Sequence, residues 1–364
     1  MNPSIKSYSS EEIFSLLSEL NEPRFRANQL IEWLYAQGAT SFQEMTNLPL
    51  SLREKLEERF SLPKPKIVNR QVSTDQTRKY ILEFEDKARV ETVAIPSFGE
   101  PKFGKLTENE GKKSKDASRI KLKRLTACLS TQVGCSMGCV FCATGTEGFT
   151  RNLSPGEIVD QIHAIQKDFD ARVSNLVIMG QGEAFLNYEN TLAALRFANS
   201  PKGLMIGARH ITISTCGILS GITRLAQEPE QFTLAVSLHS AQQTLRNTLL
   251  PQLTNSPLTK LKDCLYDYVA NTGRRVSLEY LMIKNVNDDS RSLDALIHFC
   301  EGLLCHINLL PINPIVGSEF KPSTLSTMKH WEEKLKKTSI PVSIRNSRGS
   351  DISGACGQLK NALR

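Results

Sequence analysis

From residue 125 onward the chain alternates short apolar runs with segments of helix length. The runs fall at 175–179, 210–214, 232–237, 276–283, 306–310 and 341–344. The segments between them cover about 155–168, 189–199, 218–228, 258–271, 289–302 and 325–338. Apolar runs separated by helices build βαβ units, whose parallel strands need both faces covered. Six or seven strands in about 220 residues predict a full or partial α/β barrel. Active sites of such sheets lie at the carboxyl ends of the strands. The polar residues predicted there are Gly180-Gln181-Gly182-Glu183, Ser214-Thr215, Ser237-Leu238-His239 and Asn313.

The residues before the barrel are different in kind. Ser9-Ser10-Glu11-Glu12 has capping-box spacing, and Ile13, Leu16, Leu17 and Leu20 follow as a helical stripe. Further stripes run Ala27, Leu30, Ile31, Leu34 and Leu52, Leu56, Phe60. Pro63-Lys64-Pro65 closes this helical module. Two strand-like runs follow at 79–84 and 90–95, then a basic stretch. The predicted organisation is a helical domain at 1–62, a strand-containing linker with a basic loop at 63–124, the α/β core at 125–347 and a tail at 348–364.

Composition excludes several classes. Hydrophobic residues make up 40% of the 364 and charged residues 23%, which is incompatible with global disorder. No run of about 18 apolar residues and no apolar leader is present, so a cytoplasmic protein without a membrane span is expected. The formal charge of +7 is largely local: residues 102–124 hold nine Lys or Arg against three acids. That stretch suits phosphate contacts or a solvated loop equally. Lys64, Lys66, Arg70, Arg78 and Lys79 add charge beside the helical module.

Nine cysteines, an odd number, argue against a disulfide framework. Cys135, Cys139 and Cys142 form Cys-x-x-x-Cys-x-x-Cys in a Gly-rich loop after a strand predicted at 126–130. Three thiolates can hold three irons of a 4Fe-4S cluster and leave the fourth iron open. Zinc is the alternative, but structural zinc sites carry a fourth protein ligand, and the next histidine is His163. Cys216, Cys264, Cys300 and Cys305 sit in apolar contexts and read as structural.

The three-cysteine spacing resembles that of the radical SAM superfamily. The resemblance implies a partial (β/α)6 radical SAM barrel, with S-adenosylmethionine (SAM) bound at the open iron. Gly182 and Glu183 would then sit near its methionyl amine, and Ser214, Ser237, Leu238, His239 and Asn313 would line the rest of the cofactor site. Over nearly the whole chain, the sequence resembles the RlmN/Cfr family of RNA adenosine methyltransferases. The motifs are Val90-Glu91-Thr92-Val93, residues 128–149, Ser237-Leu238-His239-Ser240, residues 308–314, and the run from Arg348 to Leu359 that contains Gly354-Ala355-Cys356-Gly357.

That resemblance implies a mechanism. One SAM methylates Cys356, and a second is cleaved reductively to a radical that activates the new methyl group. The methylene carbon then joins an adenine ring carbon. Glu91 acts as proton acceptor, and Cys128 attacks the Cys356 sulfur, which leaves a disulfide and frees the RNA. The implied partners are 23S rRNA, tRNA and a one-electron donor such as flavodoxin, with the enzyme acting as a monomer. Carbon 2 is the expected position, with a Cfr-like carbon-8 enzyme as the alternative. The family's Gly-Met-Gly-Glu-Pro is here Gly180-Gln181-Gly182-Glu183-Ala184, a departure that bears on this choice. Two other readings stay open from the sequence: a radical SAM enzyme with another substrate, and an RNA-binding protein with a vestigial cluster.

Overall fold

The computed structural model describes residues 2–99 and 122–361. The N-terminal part is helical: α1 (Ser10–Glu19), α2 (Arg24–Ile31) and α3 (Leu50–Arg59). Ser9 and Glu12 form the predicted capping box of α1, and the apolar stripes are buried except for the half-buried Leu16. An antiparallel unit follows, of β1 (Lys66–Val72), β2 (Arg78–Glu83) and β3 (Arg89–Phe98). The sequence predicted only β2 and β3. β1 has no buried residue, so it carries no apolar run to find.

The core begins with β4 (Leu122–Cys128), followed by a small hairpin of β5 (Gln132–Gly134) and β6 (Phe149–Asn152) around α4 (Ala143–Glu147). Then come α5 (Pro155–Phe169), β7 (Asn175–Ile178), α6 (Tyr188–Asn199), β8 (Ile211–Thr215), α7 (Leu219–Leu225) and β9 (Thr233–Ser237). The chain continues through α8 (Gln243–Leu249), α9 (Leu258–Thr272), β10 (Val276–Met282), α10 (Ser290–Cys300), β11 (Cys305–Pro311), α11 (Leu325–Lys337) and β12 (Val342–Ile344). Pairing runs β1-β2-β3-β4-β7-β8-β9-β10-β11-β12, antiparallel as far as β4 and parallel from β4 onward. This is the expected partial α/β barrel, extended at one edge by the β1–β3 unit.

The helical part docks on α5 through a buried ion pair. Lys6 Nζ lies 2.6 Å from Asp160 Oδ1, and both side chains are almost fully buried. The basic residues noted beside this module divide between paired and exposed ones. Arg70 and Arg78 both pair with Asp168, and Lys79 is buried against Glu91; Lys64 and Lys66 are exposed. Most of the 102–124 stretch lies outside the described residues. No helix among the described residues is long and apolar enough to cross a membrane.

Candidate active site at the barrel mouth

The barrel encloses a cavity of about 1070 Å³. At the carboxyl ends of the strands it is lined by Cys128, Met179, Leu310, Asn313 and Cys356. Cys128 ends β4, and Cys356 enters from the C-terminal tail, so only the fold brings them together. Their proximity is electrostatic as well as spatial. Burial pushes the Cys128 thiol up, and the charge of Cys356 adds to the effect. Cys356 is pushed up to about 11 by burial, then by the negative charges of Glu279 and Cys142.

The tail is fastened at several points. Asn313 Nδ2 donates to the Cys356 carbonyl at 3.1 Å. The Ala143 N–H donates to the Gly357 carbonyl at 2.7 Å, and Thr144 Oγ1 donates to the Leu359 carbonyl at 2.7 Å. The Lys360 N–H donates to Glu91 Oε2 at 2.8 Å. The tail therefore spans the cysteine loop, the end of β11 and Glu91. Gly357 has φ +81°, a left-handed conformation that suits glycine.

Glu91 is fully buried on β3, so a solvated strand face does not describe it. Lys79 Nζ lies 3.0 Å from its Oε1. Burial raises its carboxyl, and the Lys79 charge works against that rise. β4 ends level with Val93, which leaves the Glu91 backbone without a strand partner on that side. Side chains take over the ladder. Ser130 Oγ donates to the Glu91 carbonyl at 2.6 Å, and the Glu91 N–H donates to Gln181 Oε1 at 2.9 Å. Gln161 in turn holds both backbone groups of Ser130. Gln181 Nε2 is buried with no partner.

Gly182 needs to be glycine twice over. Its φ is +101°, and a Cβ there would lie 2.6 Å from Gln132 Cβ. Glu183 follows, almost fully buried. Its Oε1 accepts the Phe185 N–H, and its Oε2 accepts the Cys216 N–H at 2.8 Å and the Cys216 thiol at 2.9 Å. Burial pushes its carboxyl up. Cys216, which the sequence placed among the structural cysteines, is thus a direct partner of Glu183. Its position just past β8 is the signal that could have marked it. Arg246 Nη2 holds the Cys216 carbonyl at 2.5 Å.

The other cofactor-site candidates divide by what they expose. Ser214 shares a face of β8 with Thr212, which lines the cavity. Ser237 likewise shares a face of β9 with Thr233. Leu238 is fully buried, so toward a ligand it can offer only backbone. His239 has φ +55°, packs edge-on against Phe141 and accepts the Leu281 N–H on Nδ1. Burial, reinforced by Arg246, lowers it to about 3, so its ring is neutral with a proton on Nε2.

Cys135, Cys139 and Cys142 lie in the loop between β5 and α4, half-buried against Met137, Phe141, Leu249 and Leu250. Cys135 is raised to about 11, mainly by burial, and Cys139 is raised too, by burial and then by its two neighbours. Among the described residues no three His, Cys, Asp or Glu side chains converge on one ion. A 4Fe-4S cluster asks for something else: one thiolate per iron around a shared rim, in an apolar pocket. Three clustered thiols, of which Cys139 feels the charges of both others, fit that requirement, and bound iron would relieve the repulsion.

Comparison with known proteins agrees with this arrangement. Residues 5–62 match the ribosomal RNA large subunit methyltransferase N-terminal domain, and residues 129–296 match the radical SAM superfamily. A probable dual-specificity RNA methyltransferase RlmN from Syntrophomonas wolfei is 40% identical over 95% of this chain and 93% of its own length. Another from Geobacillus kaustophilus is 40% identical over 98% and 92%. The chain belongs to the RlmN family. A solved radical SAM methyltransferase from Sphaerobacter thermophilus superposes with TM-score 0.86 at 37% identity, covering 99% of this chain and all of that one. The RlmN-family chain is therefore a radical SAM methyltransferase, using a 4Fe-4S cluster and SAM.

Proposed function

We propose that this RlmN-family enzyme methylates carbon 2 of an adenosine in 23S rRNA and of a tRNA adenosine, consuming two SAM per turnover. The observation that carries the reading is the meeting of Cys356, Cys128 and the Glu91-bound tail at one barrel mouth, beside the cysteine loop. The relatives' names, probable dual-specificity RNA methyltransferases, support an RNA substrate, and the ribosomal RNA large subunit methyltransferase N-terminal domain matched at 5–62 supports rRNA.

In this reading Cys356 is the methyl carrier. Asn313 holds its carbonyl and the cavity gives a ligand access to its sulfur. Cys135, Cys139 and Cys142 would hold the 4Fe-4S cluster, which would supply one electron for the cleavage of SAM. Glu183, Gly182, Ser214, Ser237, the Leu238 backbone, His239 and Asn313 bind and orient the cofactor. Glu91 takes the adenine ring proton: its burial raises its affinity for a proton, and the charge of Lys79 works against that rise. Cys128 is placed to attack the Cys356 sulfur and release the product. Both thiols are free, the state required before turnover.

The wider organisation belongs to the same proposal. Residues 1–62 form an accessory RNA-binding domain, 63–124 a linker, 125–347 the catalytic core and 348–364 the carrier tail. A one-electron donor such as flavodoxin would be its redox partner, and the enzyme works as a cytoplasmic monomer.

The test is anaerobic turnover of the iron-loaded enzyme on 23S rRNA and tRNA fragments, with nucleoside mass spectrometry. 2-Methyladenosine from both RNAs is the expected product. 8-Methyladenosine would move the chain to the carbon-8 branch and make Gln181 and Ala184 the first residues to exchange. Methylation by a Cys356→Ala variant would overturn the carrier role.

A further inference from the structure

The cavity holds a carboxylate that the proposed reaction leaves without a task. Glu279 lies on β10, in register with Ser237 on β9 and Asn308 on β11. Strands in parallel register present matched residues on the same face, so these three form one layer across the barrel interior. Ser237 was already assigned to the cofactor site; its two neighbours in the layer were not.

The carboxylate is held on one side only. Ser277 Oγ donates to Glu279 Oε1 at 2.8 Å, and Asn308 Nδ2 donates to the same oxygen at 2.8 Å. Asn308 Nδ2 also donates to Ser277 Oγ at 2.9 Å, which closes a three-residue ring. Oε2 has no hydrogen-bond partner and no ion-pair partner among the described residues. Nor is it among the sealed, unsatisfied atoms of the interior, so it faces the cavity that Glu279 lines. Burial pushes the Glu279 carboxyl up, and the hydrogen bonds from Asn308 and Ser277, followed by the charge of Arg345, offset part of that rise. The negative charge of Glu279 is felt at Cys356.

A desolvated carboxylate with one fixed and one open oxygen is an acceptor awaiting a donor. The ring formed by Ser277 and Asn308 fixes the direction in which that oxygen points. Hydroxyl and amine donors fit it; a second anion does not. The proposed reaction brings two adenosines to this mouth, one in SAM and one in the RNA, and each carries ribose hydroxyls and an exocyclic amine.

We propose that Glu279 Oε2 accepts a hydrogen bond from an adenosine bound in the barrel, with Ser277 and Asn308 as the residues that position it. The inference rests on the reading of Cys356 as methyl carrier. It adds a ligand-contacting residue from the middle of β10, in the layer that already holds Ser237.

The test uses the full-length, iron-loaded enzyme and its Glu279→Gln and Glu279→Asp variants, with two readouts. The first is methylation of Cys356 by SAM without RNA, followed by intact-protein mass as SAM is varied. The second is the RNA concentration dependence of turnover at saturating SAM. Iron content and thermal melting check that the variants fold and load. Glu279→Gln keeps the shape and is expected to weaken one of the two by about tenfold or more, the scale of a hydrogen bond to a charged group. A raised SAM requirement assigns the contact to the SAM adenosine, and a raised RNA requirement with unchanged SAM dependence assigns it to the substrate. Glu279→Asp, which keeps the charge but shortens the reach, is expected to fall between. Gln and Asp variants matching wild type in both readouts would overturn the proposal. If wild-type Cys356 takes no methyl group from SAM, the carrier reading itself fails, which is a separate result.

Discussion

The Glu91 backbone N–H donates to the side-chain oxygen of Gln181 at 2.9 Å, joining the cofactor loop to the strand that carries the proposed proton acceptor. Ser130 makes the matching bond to the Glu91 carbonyl. Two side chains thus continue a β-ladder past the point where β4 ends.

These two supports differ in what their loss leaves behind. Ser130→Ala strips the Glu91 carbonyl of its donor and the Gln181 N–H of its acceptor. Each orphaned backbone group costs about 1–3 kcal/mol. Gln181→Met orphans only the Glu91 N–H, and it also removes the unpartnered Nε2 amide. Denaturant titration should therefore find Ser130→Ala clearly destabilised and Gln181→Met close to wild type. The reverse order would contradict the network.

Lys79→Met should destabilise the protein in a pH-dependent way. Burial holds the Glu91 carboxyl above its unfolded value of about 4.3. A raised carboxyl favours the folded state at low pH, and that advantage is lost as pH rises through the folded value. Removing Lys79 lifts the folded value further and widens the window. The penalty, about 3–5 kcal/mol for an unpaired buried charge, should be larger at pH 8 than at pH 5. Melting curves of Lys79→Met and of Lys79→Met/Glu91→Gln across that range check it, since the double variant should lose the pH dependence.

Lys6 and Asp160 give the opposite sign. Asp160 is lowered despite its burial, because Lys6 and His163 favour the carboxylate. The pair therefore contributes stability above the unfolded value of about 3.9, and loses it as pH falls through the lower folded value. Asp160→Asn should cost about 3–5 kcal/mol near neutral pH and progressively less below about pH 4. An equal cost at both pH values in melting experiments would count against the pair.

Cys356 should react slowly with a neutral alkylating agent at pH 7.5 although it faces a cavity. With its thiol at about 11, only about one molecule in a thousand or fewer is thiolate there. The rate should rise roughly tenfold per pH unit until near that value. Mass spectrometry of the Cys356 peptide after timed alkylation reads it directly. A plateau below pH 9 would mean that the thiol is ordinary.

Much of this protein is legible in its residues. The βα alternation follows from periods of apolar residues that any parallel sheet requires, and it locates every core strand from β7 onward. The cysteine loop declares itself by spacing, and Glu183, Asn313 and Cys356 stand in recognisable motifs. β1 and the short helix α8 left no apolar period and went unseen. Cys216, Lys79, Asn308 and Glu279 look ordinary in sequence because their roles lie in partners far away along the chain: Cys216 with Glu183, Lys79 with Glu91, Glu279 with Asn308.

The sequence by itself determined the local elements, the three-thiol loop and the family, because each is written in spacings of a few residues. Tertiary structure alone decided which charges are free and which are spent. It paired Arg70 and Arg78 with Asp168 and buried Lys79 against Glu91, and it left one oxygen of Glu279 open in the cavity. The reason is physical. Hydrogen bonds, ion pairs and desolvation act over a few ångströms, and Cys128 and Cys356 come to line one cavity only when the barrel closes and the tail is tied across its mouth.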